Sequence, residues 1–281
     1  VTGAPHPHAP VARHRPWPPC RRCCGIALDM GGARTRAWIG GRGVVVDVPT
    51  VTSPGSGAVR PIQRGTIVDT EGCARMLQRL LTDRLPQRVR PMVIVAAPVL
   101  DGLAYRAEAR TAVGVLRPRS VLTVPGARGI ALAAGADTSL PLLVLDIGAH
   151  LTEVVLLCDG AVTDARTTAL GTGDLDEDGT PEHLTEAVAR MLSAMLRQDR
   201  SSVTVDALHR GILVAGGGAL RPEITSHLTG RLHAPLRVVP APHTAAVRGA
   251  AKLLHAAHAH PSACGPQPPP AHLNQPRPQA E

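Results

Sequence analysis

The chain has 281 residues, with 30 Lys plus Arg against 22 Asp plus Glu and a pI near 10.1. No Phe, one Tyr and two Trp exclude an aromatic platform for stacking bases. At 44% hydrophobic, the sequence can build a core from Ala, Val, Leu and Ile, in one large domain or two ordinary ones.

Residues 1–23 hold six prolines and Arg13, Arg15, Arg21 and Arg22, with no acid; residues 261–281 hold seven prolines. Neither stretch can bury a core, so both read as disordered tails. The body between them shows no basic stripe of the kind nucleic acid demands, and no specific nucleic-acid partner is expected. No uncharged apolar run reaches the ~20 residues of a bilayer span, and the N-terminus lacks the apolar region of a secretory signal. Six cysteines in a chain this long make no disulfide framework. The Cys20–Cys23 pair has no second pair to complete a zinc site. A soluble cytoplasmic protein with free thiols is expected.

The first predicted strand ends in Asp29-Met-Gly31, turns at Gly32-Ala33-Arg34 and returns through 36–39; Gly40-Gly-Arg-Gly43 leads into a third strand at 44–48. A helix over 71–85 follows, then a strand at 92–97, a helix at 103–115, a strand at 120–124 and a helix at 128–136. The pattern then repeats. A strand ends in Asp146-Ile-Gly148, turns at Ala149-His150-Leu151 and returns through 153–157; Asp159-Gly160 leads into 161–163. A helix at 181–196, with apolar residues at helical spacing, precedes a strand at 211–215. A helix at 219–232, a strand at 236–239 and a helix at 244–255 close the body. Both halves read βββαβαβα, which predicts two duplicated α/β lobes, 24–140 and 141–260, each a mixed sheet flanked by helices.

Two Asp-x-Gly turns in equivalent places suit a split phosphate clamp. Glycines let backbone N–H groups approach phosphate oxygens, and each Asp can hold hydrated Mg²⁺ through water. A third cluster, Gly216-Gly217-Gly218-Ala219, breaks a buried strand and offers a flat backbone surface for an adenine–ribose. The candidate site is therefore Asp29, Gly31, Gly32, Ala33 and Arg34; Asp146, Gly148, Ala149 and His150; and Gly216, Gly217, Gly218 and Ala219, with Asp29 and Asp146 toward the metal.

From about residue 25 to 254 the chain resembles the actin-like ATPase superfamily, and within it the bacterial MreB/Mbl group. The resemblance rests on the first turn, on Arg60-Pro-Ile-Gln-Arg-Gly65-Thr-Ile-Val-Asp69, on Arg210-Gly-Ile-Leu-Val-Ala-Gly-Gly-Gly-Ala-Leu-Arg221, and on Pro242-His-Thr-Ala-Ala-Val-Arg248-Gly249. It implies duplicated actin-like (ribonuclease H-like) lobes, ATP with Mg²⁺, and a cytoskeletal role in cell shape. The implied partners are the chain itself or full-length MreB-type filaments, cell-wall synthesis and envelope proteins, and a peripheral contact at the inner face of the membrane.

Departures from the family pattern carry their own expectations. Gly32 and Arg34 replace a Thr and an Asn, removing a hydroxyl from the cradle while adding a charge. Ala149, His150 and Leu151 replace two glycines and a threonine and crowd the second turn. Where the family places a water-orienting Glu, Val124–Ala127 hold no carboxylate, so ATP hydrolysis is expected to be slow or absent. The connections at 50–59 and 165–180 are short, so the outer subdomains are expected to be reduced or missing. Asp174, Asp176 and Asp178 mimic part of a calcium loop but lack its bidentate glutamate, and read as a solvated acidic turn. His255, His258 and His260 read as an exposed helix end. Two alternatives stand beside the cytoskeletal reading: a pseudo-ATPase scaffold that binds no nucleotide, and an actin-fold phosphotransferase or chaperone-type ATPase.

Overall fold

The computed structural model describes residues 24–52, 59–86, 89–100, 102–175 and 180–260. The proline-rich ends, the Cys20–Cys23 pair, Asp176 and Asp178 lie outside them. The chain runs β1 (Gly25–Met30), β2 (Arg34–Ile39), β3 (Gly43–Pro49), the small hairpin β4 (Ile62–Gln63) and β5 (Thr66–Ile67), then α1 (Thr70–Leu81) and β6 (Met92–Ala97). α2 (Gly102–Val113), β7 (Ser120–Pro125) and α3 (Gly126–Ala133) follow. The second half comprises β8 (Leu142–Ile147), β9 (Thr152–Cys158), β10 (Ala161–Thr168), α4 (Thr172–Leu175), α5 (Pro181–Gln198) and α6 (Val203–Arg210). It closes with β11 (Ile212–Ala215), α7 (Pro222–Leu232), β12 (Leu236–Val238) and α8 (Ala245–Ala259).

Two five-stranded sheets have the same plan: β3-β2-β1-β6-β7 and β10-β9-β8-β11-β12. In each, the first strand pairs antiparallel with the second and parallel with the strand after the helix. Strands such as β6, buried at every position, are continuous apolar runs because helices cover both faces. α1 and α2 pack one face of the first sheet, with Leu77, Leu81, Ala109 and Val113 against Ile26, Leu28, Val93 and Val95. α5 and α7 do the same for the second, through Leu184, Val188, Ile224 and Leu228.

The other faces are covered by exchange. α3, which ends the first half, packs Ala127, Ile130 and Ala131 on Leu142, Val144 and Val155 of the second sheet. α8, which ends the second half, lays Val247, Ala250 and Leu254 on Ala27, Met92 and Ile94 of the first. The two helices cross backbone to backbone: a Cβ on Gly249 would stand 1.7 Å from the carbonyl oxygen of Gly129. Lys252, the only lysine in the chain, donates to the Leu132 carbonyl at 2.6 Å. This packing corrects the reading of His258 alone, since His255 and His260 are exposed as expected. His258 is buried and His255 meets Trp38 edge-on, with centroids 4.9 Å apart.

Other differences from the predicted elements have local causes. The helix expected over 219–232 starts at Pro222, whose missing N–H suits a first helical position; a short 3₁₀ turn occupies Gly218–Leu220. The hairpin β4–β5 was not anticipated, since its strands are two residues each; it turns through Arg64 and Gly65, both at positive φ, as a tight primed turn requires. α6 was also unanticipated, because Val203, Thr204 and Val205 are poor helix formers. The Asp199 carboxylate orders the approach to α6, accepting from the N–H groups of Ser201 and Thr204. Asp69 caps α1 by accepting from Gly72 N at 2.7 Å.

Among the described residues, no helix is long and apolar enough to cross a membrane. Cys24, Cys73 and Cys158 are free thiols. Burial pushes Cys73 up to about 12, which leaves it unreactive.

Candidate functional site

The two Asp-x-Gly turns meet across a cavity of about 270 Å³ at the C-terminal ends of the parallel strands, where open α/β sheets bind ligands. They are built alike. Gly31 N donates to Arg34 O at 3.0 Å, and Gly148 N donates to Leu151 O at 2.8 Å. The closing bond thus uses only the first glycine's N–H, and does not consume those of Gly32, Ala33, Ala149 and His150. Each turn is anchored by a buried threonine: Thr35 meets Thr50 Oγ1 at 2.9 Å, and Thr152 donates to Leu170 O at 2.8 Å.

Eleven of the thirteen candidate residues line the cavity: Asp29, Gly31, Gly32, Ala33, Arg34, Asp146, Gly148, Ala149, His150, Gly216 and Gly217. Gly218 and Ala219 do not. A Cβ on Gly218 would press on the Ile147 side chain at 2.2 Å, and Ala219 is buried in the second core. Gly216 is a backbone requirement, with φ at +83° and a Cβ that would stand 2.2 Å from Ile147 O. Gly217 has open space before it.

Across the strand pair, Asp29 stands opposite Arg36 and Asp146 stands opposite Glu153. Both partners line the cavity, and neither was among the candidates. The signal was present: each lies the same number of positions after its aspartate, so aligning the two copies sets Arg against Glu. Arg36 Nη1 is 3.6 Å from Asp29 Oδ2, and its Nε is 3.3 Å from Asp47 Oδ1. Burial raises Asp29 above the usual carboxylate range and Arg36 partly offsets this. Against a desolvation penalty, Arg34 and Arg36 hold Asp47 below it. On the other side, burial and then the charges of Asp29 and Glu153 push Asp146 up to about 7. Burial pushes Glu153 up to about 7 as well, moderated by the N–H groups of Val99 and Leu100; its Oε1 accepts from Val99 N at 2.9 Å. A buried carboxylate therefore does reach the cavity, from β9 rather than from Val124–Ala127, and it is tied to the opposite lobe. Tyr105 closes the inner wall, donating to Met30 O at 2.9 Å.

The hairpin β4–β5 bridges the cleft mouth. Arg60 Nη1 is 2.9 Å from His150 Nε2, and Arg64 Nη2 is 2.8 Å from Asp174 Oδ1. Arg64 also donates to Ala169 O. Since a guanidinium only donates, His150 Nε2 accepts, and Nδ1 carries the ring proton 3.5 Å from Asp174 Oδ1. Asp174 is thus a cross-lobe anchor, held below the usual range despite burial by Gly171 N–H, Arg64 and His150. This strap leaves a cavity just under the roughly 300–1,000 Å³ of ligand pockets.

A match to the MreB/Mbl protein family model spans residues 52–181. The cell shape-determining protein MreB of Escherichia coli K12 is 22% identical in an alignment covering 84% of this chain and 94% of that protein. The chain is thus similar to MreB in sequence, and it has the actin fold. MreB5 of Spiroplasma citri bound to ADP superposes with a TM-score of 0.75 at 17% identity, covering 84% of this chain and 97% of that one. A MamK double helical filament gives a TM-score of 0.68 at 15% identity, covering 82% and 98%. The likeness at these identities is one of fold.

Whether the residues of this MreB-like chain fit Mg²⁺ can be judged from the donor set. Asp29 is already engaged by a fixed cation, Arg36. Two like unit charges ~4 Å apart repel by about 4 kcal/mol at an effective dielectric of ~20, so a divalent ion on Asp29 competes with that guanidinium. Among the described residues, no group of three or more His, Cys, Asp or Glu is arranged to hold a metal. The first turn does not fit the ion that the resemblance implies.

Proposed function

We propose that this chain is an MreB-like cytoskeletal protein that binds an adenine nucleotide weakly and joins filaments guiding cell-wall synthesis. It works in the cytoplasm at the inner face of the membrane, with itself or a full-length MreB-type protein as its filament partner. One observation carries the nucleotide part: two equivalent Asp-x-Gly turns face each other across one cavity, with Gly216 and Gly217 at its side. The ADP- and AMPPNP-bound states of the Spiroplasma MreB5 neighbours support the same ligand class, and the MamK filament supports self-association. Weak affinity follows from the crowded second turn and from the strap, which must open for a whole nucleotide. Slow or absent hydrolysis follows from Val124–Ala127, which offer no carboxylate, and from Glu153, which is held by Val99 N.

A pseudo-ATPase scaffold that binds no nucleotide is the second reading, and the closed strap favours it. Sedimentation with and without a full-length MreB-type protein, in the presence and absence of ATP, tests the proposal. Co-pelleting enhanced by ATP is expected. Co-pelleting indifferent to ATP would favour the scaffold, and failure to pellet under any condition would contradict filament joining.

A further inference from the structure

The first turn carries its own cation. Arg36 stands opposite Asp29 in the β1–β2 ladder, lines the cavity, and keeps a side chain only 13% exposed. Its Nη1 is 3.6 Å from Asp29 Oδ2, while its Nε, buried and near Asp47, makes no well-aligned hydrogen bond. Arg34, also lining the cavity, is held by Asp47 through Nε at 2.6 Å and through the Asp47 carbonyl at 2.6 Å. Two guanidiniums are thus positioned at one turn by a shared carboxylate, and Arg64 reaches the same cavity from the strap. The equivalent position on the second lobe is Glu153, and among the described residues the arginines lining the cavity, Arg34, Arg36 and Arg64, all come from the first lobe. Guanidinium forks match phosphate oxygens in pairs and hold their charge at every accessible pH. They supply what a divalent ion supplies at a polyphosphate: neutralisation and fixed geometry.

We propose that Arg36, seconded by Arg34, replaces the divalent metal in this cleft, so that a nucleoside polyphosphate binds here without Mg²⁺. The inference rests on the nucleotide reading above and adds a feature that reading does not require. Free polyphosphate, rather than its magnesium complex, is then the preferred ligand, because the complex presents less charge to the arginines and brings a cation against Arg36.

Equilibrium binding of a fluorescent, non-hydrolysable ATP analogue to the full chain, in excess Mg²⁺ and in EDTA, tests this directly. Affinity in EDTA equal to or higher than in Mg²⁺ is the expected result. Arg36→Leu should weaken binding in EDTA by about tenfold or more, the loss of a charge-assisted contact. It should also make binding responsive to Mg²⁺, because Asp29 is then released. Arg36→Lys keeps a cation beside Asp29 and guards against a folding defect; it should bind more weakly than the parent yet stay indifferent to Mg²⁺. Saturable binding only with Mg²⁺ would overturn the inference and leave the nucleotide reading standing. Saturable binding in neither buffer would overturn both.

Discussion

The two lobes share a backbone plan down to the bond that closes each turn, yet opposite charges stand beside their aspartates. In the first, Asp29 faces Arg36; in the second, Asp146 faces Glu153. Burial raises all three acids: Arg36 partly offsets the rise at Asp29, whereas Asp146 and Glu153 are each pushed up to about 7, Asp146 further by the charges of Asp29 and Glu153. The two turns share geometry and differ in chemistry. One turn has an arginine beside its aspartate, and the other has a second carboxylate tied to Val99 of the first lobe. The paired motifs suggest a symmetric clamp, whereas the charges beside the two turns are opposite.

The two lobes are held together where α3 crosses α8. Gly249→Ala drives a Cβ to within 1.7 Å of the Gly129 carbonyl, a backbone collision that no rotamer relieves. A loss of about 3 kcal/mol or more is expected, read as a fall in the denaturation midpoint. Gly230→Ala in α7 meets nothing and should gain about 1 kcal/mol from helix propensity, so it serves as the matched control.

Titration sharpens the difference between the turns. Glu153 is almost fully buried and its folded pKa is raised from 4.5 to about 7. Its protonated form is therefore favoured in the folded state. The contribution of Glu153 to stability should be fully present below pH 4.5, decline as pH rises toward 7, and level off above. The decline attributable to Glu153 is on the order of 3 kcal/mol, at about 1.4 kcal/mol per pKa unit. Glu153→Gln should flatten that decline and draw Asp146 back toward the usual carboxylate range. A pH series of urea denaturations on both proteins checks it; an unchanged slope in the variant would break the contrast between the turns.

Adjacent glycines separate fold from function. Gly216→Val should cost about 2 kcal/mol or more, since a Cβ there meets Ile147 O at 2.2 Å with φ at +83°. Gly217→Val, with open space before it, should leave stability within about 0.5 kcal/mol while filling the cleft. Thermal melts of the two variants decide this. A small effect is also expected at the strap. Arg64 is 53% exposed, so Arg64→Ala should cost no more than about 1 kcal/mol, yet speed amide exchange at 148–151. Because Asp174 is held below its usual 3.8, the strap contributes above that pH and is lost as pH falls through the depressed folded value.

Much of this arrangement was legible in the chain. Strands ending in Asp29 and Asp146 could be read because apolar runs break abruptly into Asp-x-Gly, and their repetition gave the duplicated lobes. The glycine cluster was half legible: Gly216 and Gly217 reach the cavity, but nothing in Gly-Gly-Gly distinguishes those from Gly218, whose role is set by the Ile147 side chain. Arg36 and Glu153 were missed because the turns were read as phosphate cradles, whereas the facing charges emerge from strand register. The exchange of α3 and α8 between sheets was beyond reach, since periodicity says that a helix is half-buried without saying on which sheet. For the same reason His258 looked exposed.

The central claim to test is that the cavity takes a nucleotide. Equilibrium binding of a labelled ATP analogue to the full chain and to Gly217→Val tests this most directly. Weak, saturable binding to the parent, lost in the variant while its melting temperature is unchanged, is the outcome expected. Absence of saturable binding at millimolar nucleotide, or binding undiminished by Gly217→Val, would contradict it.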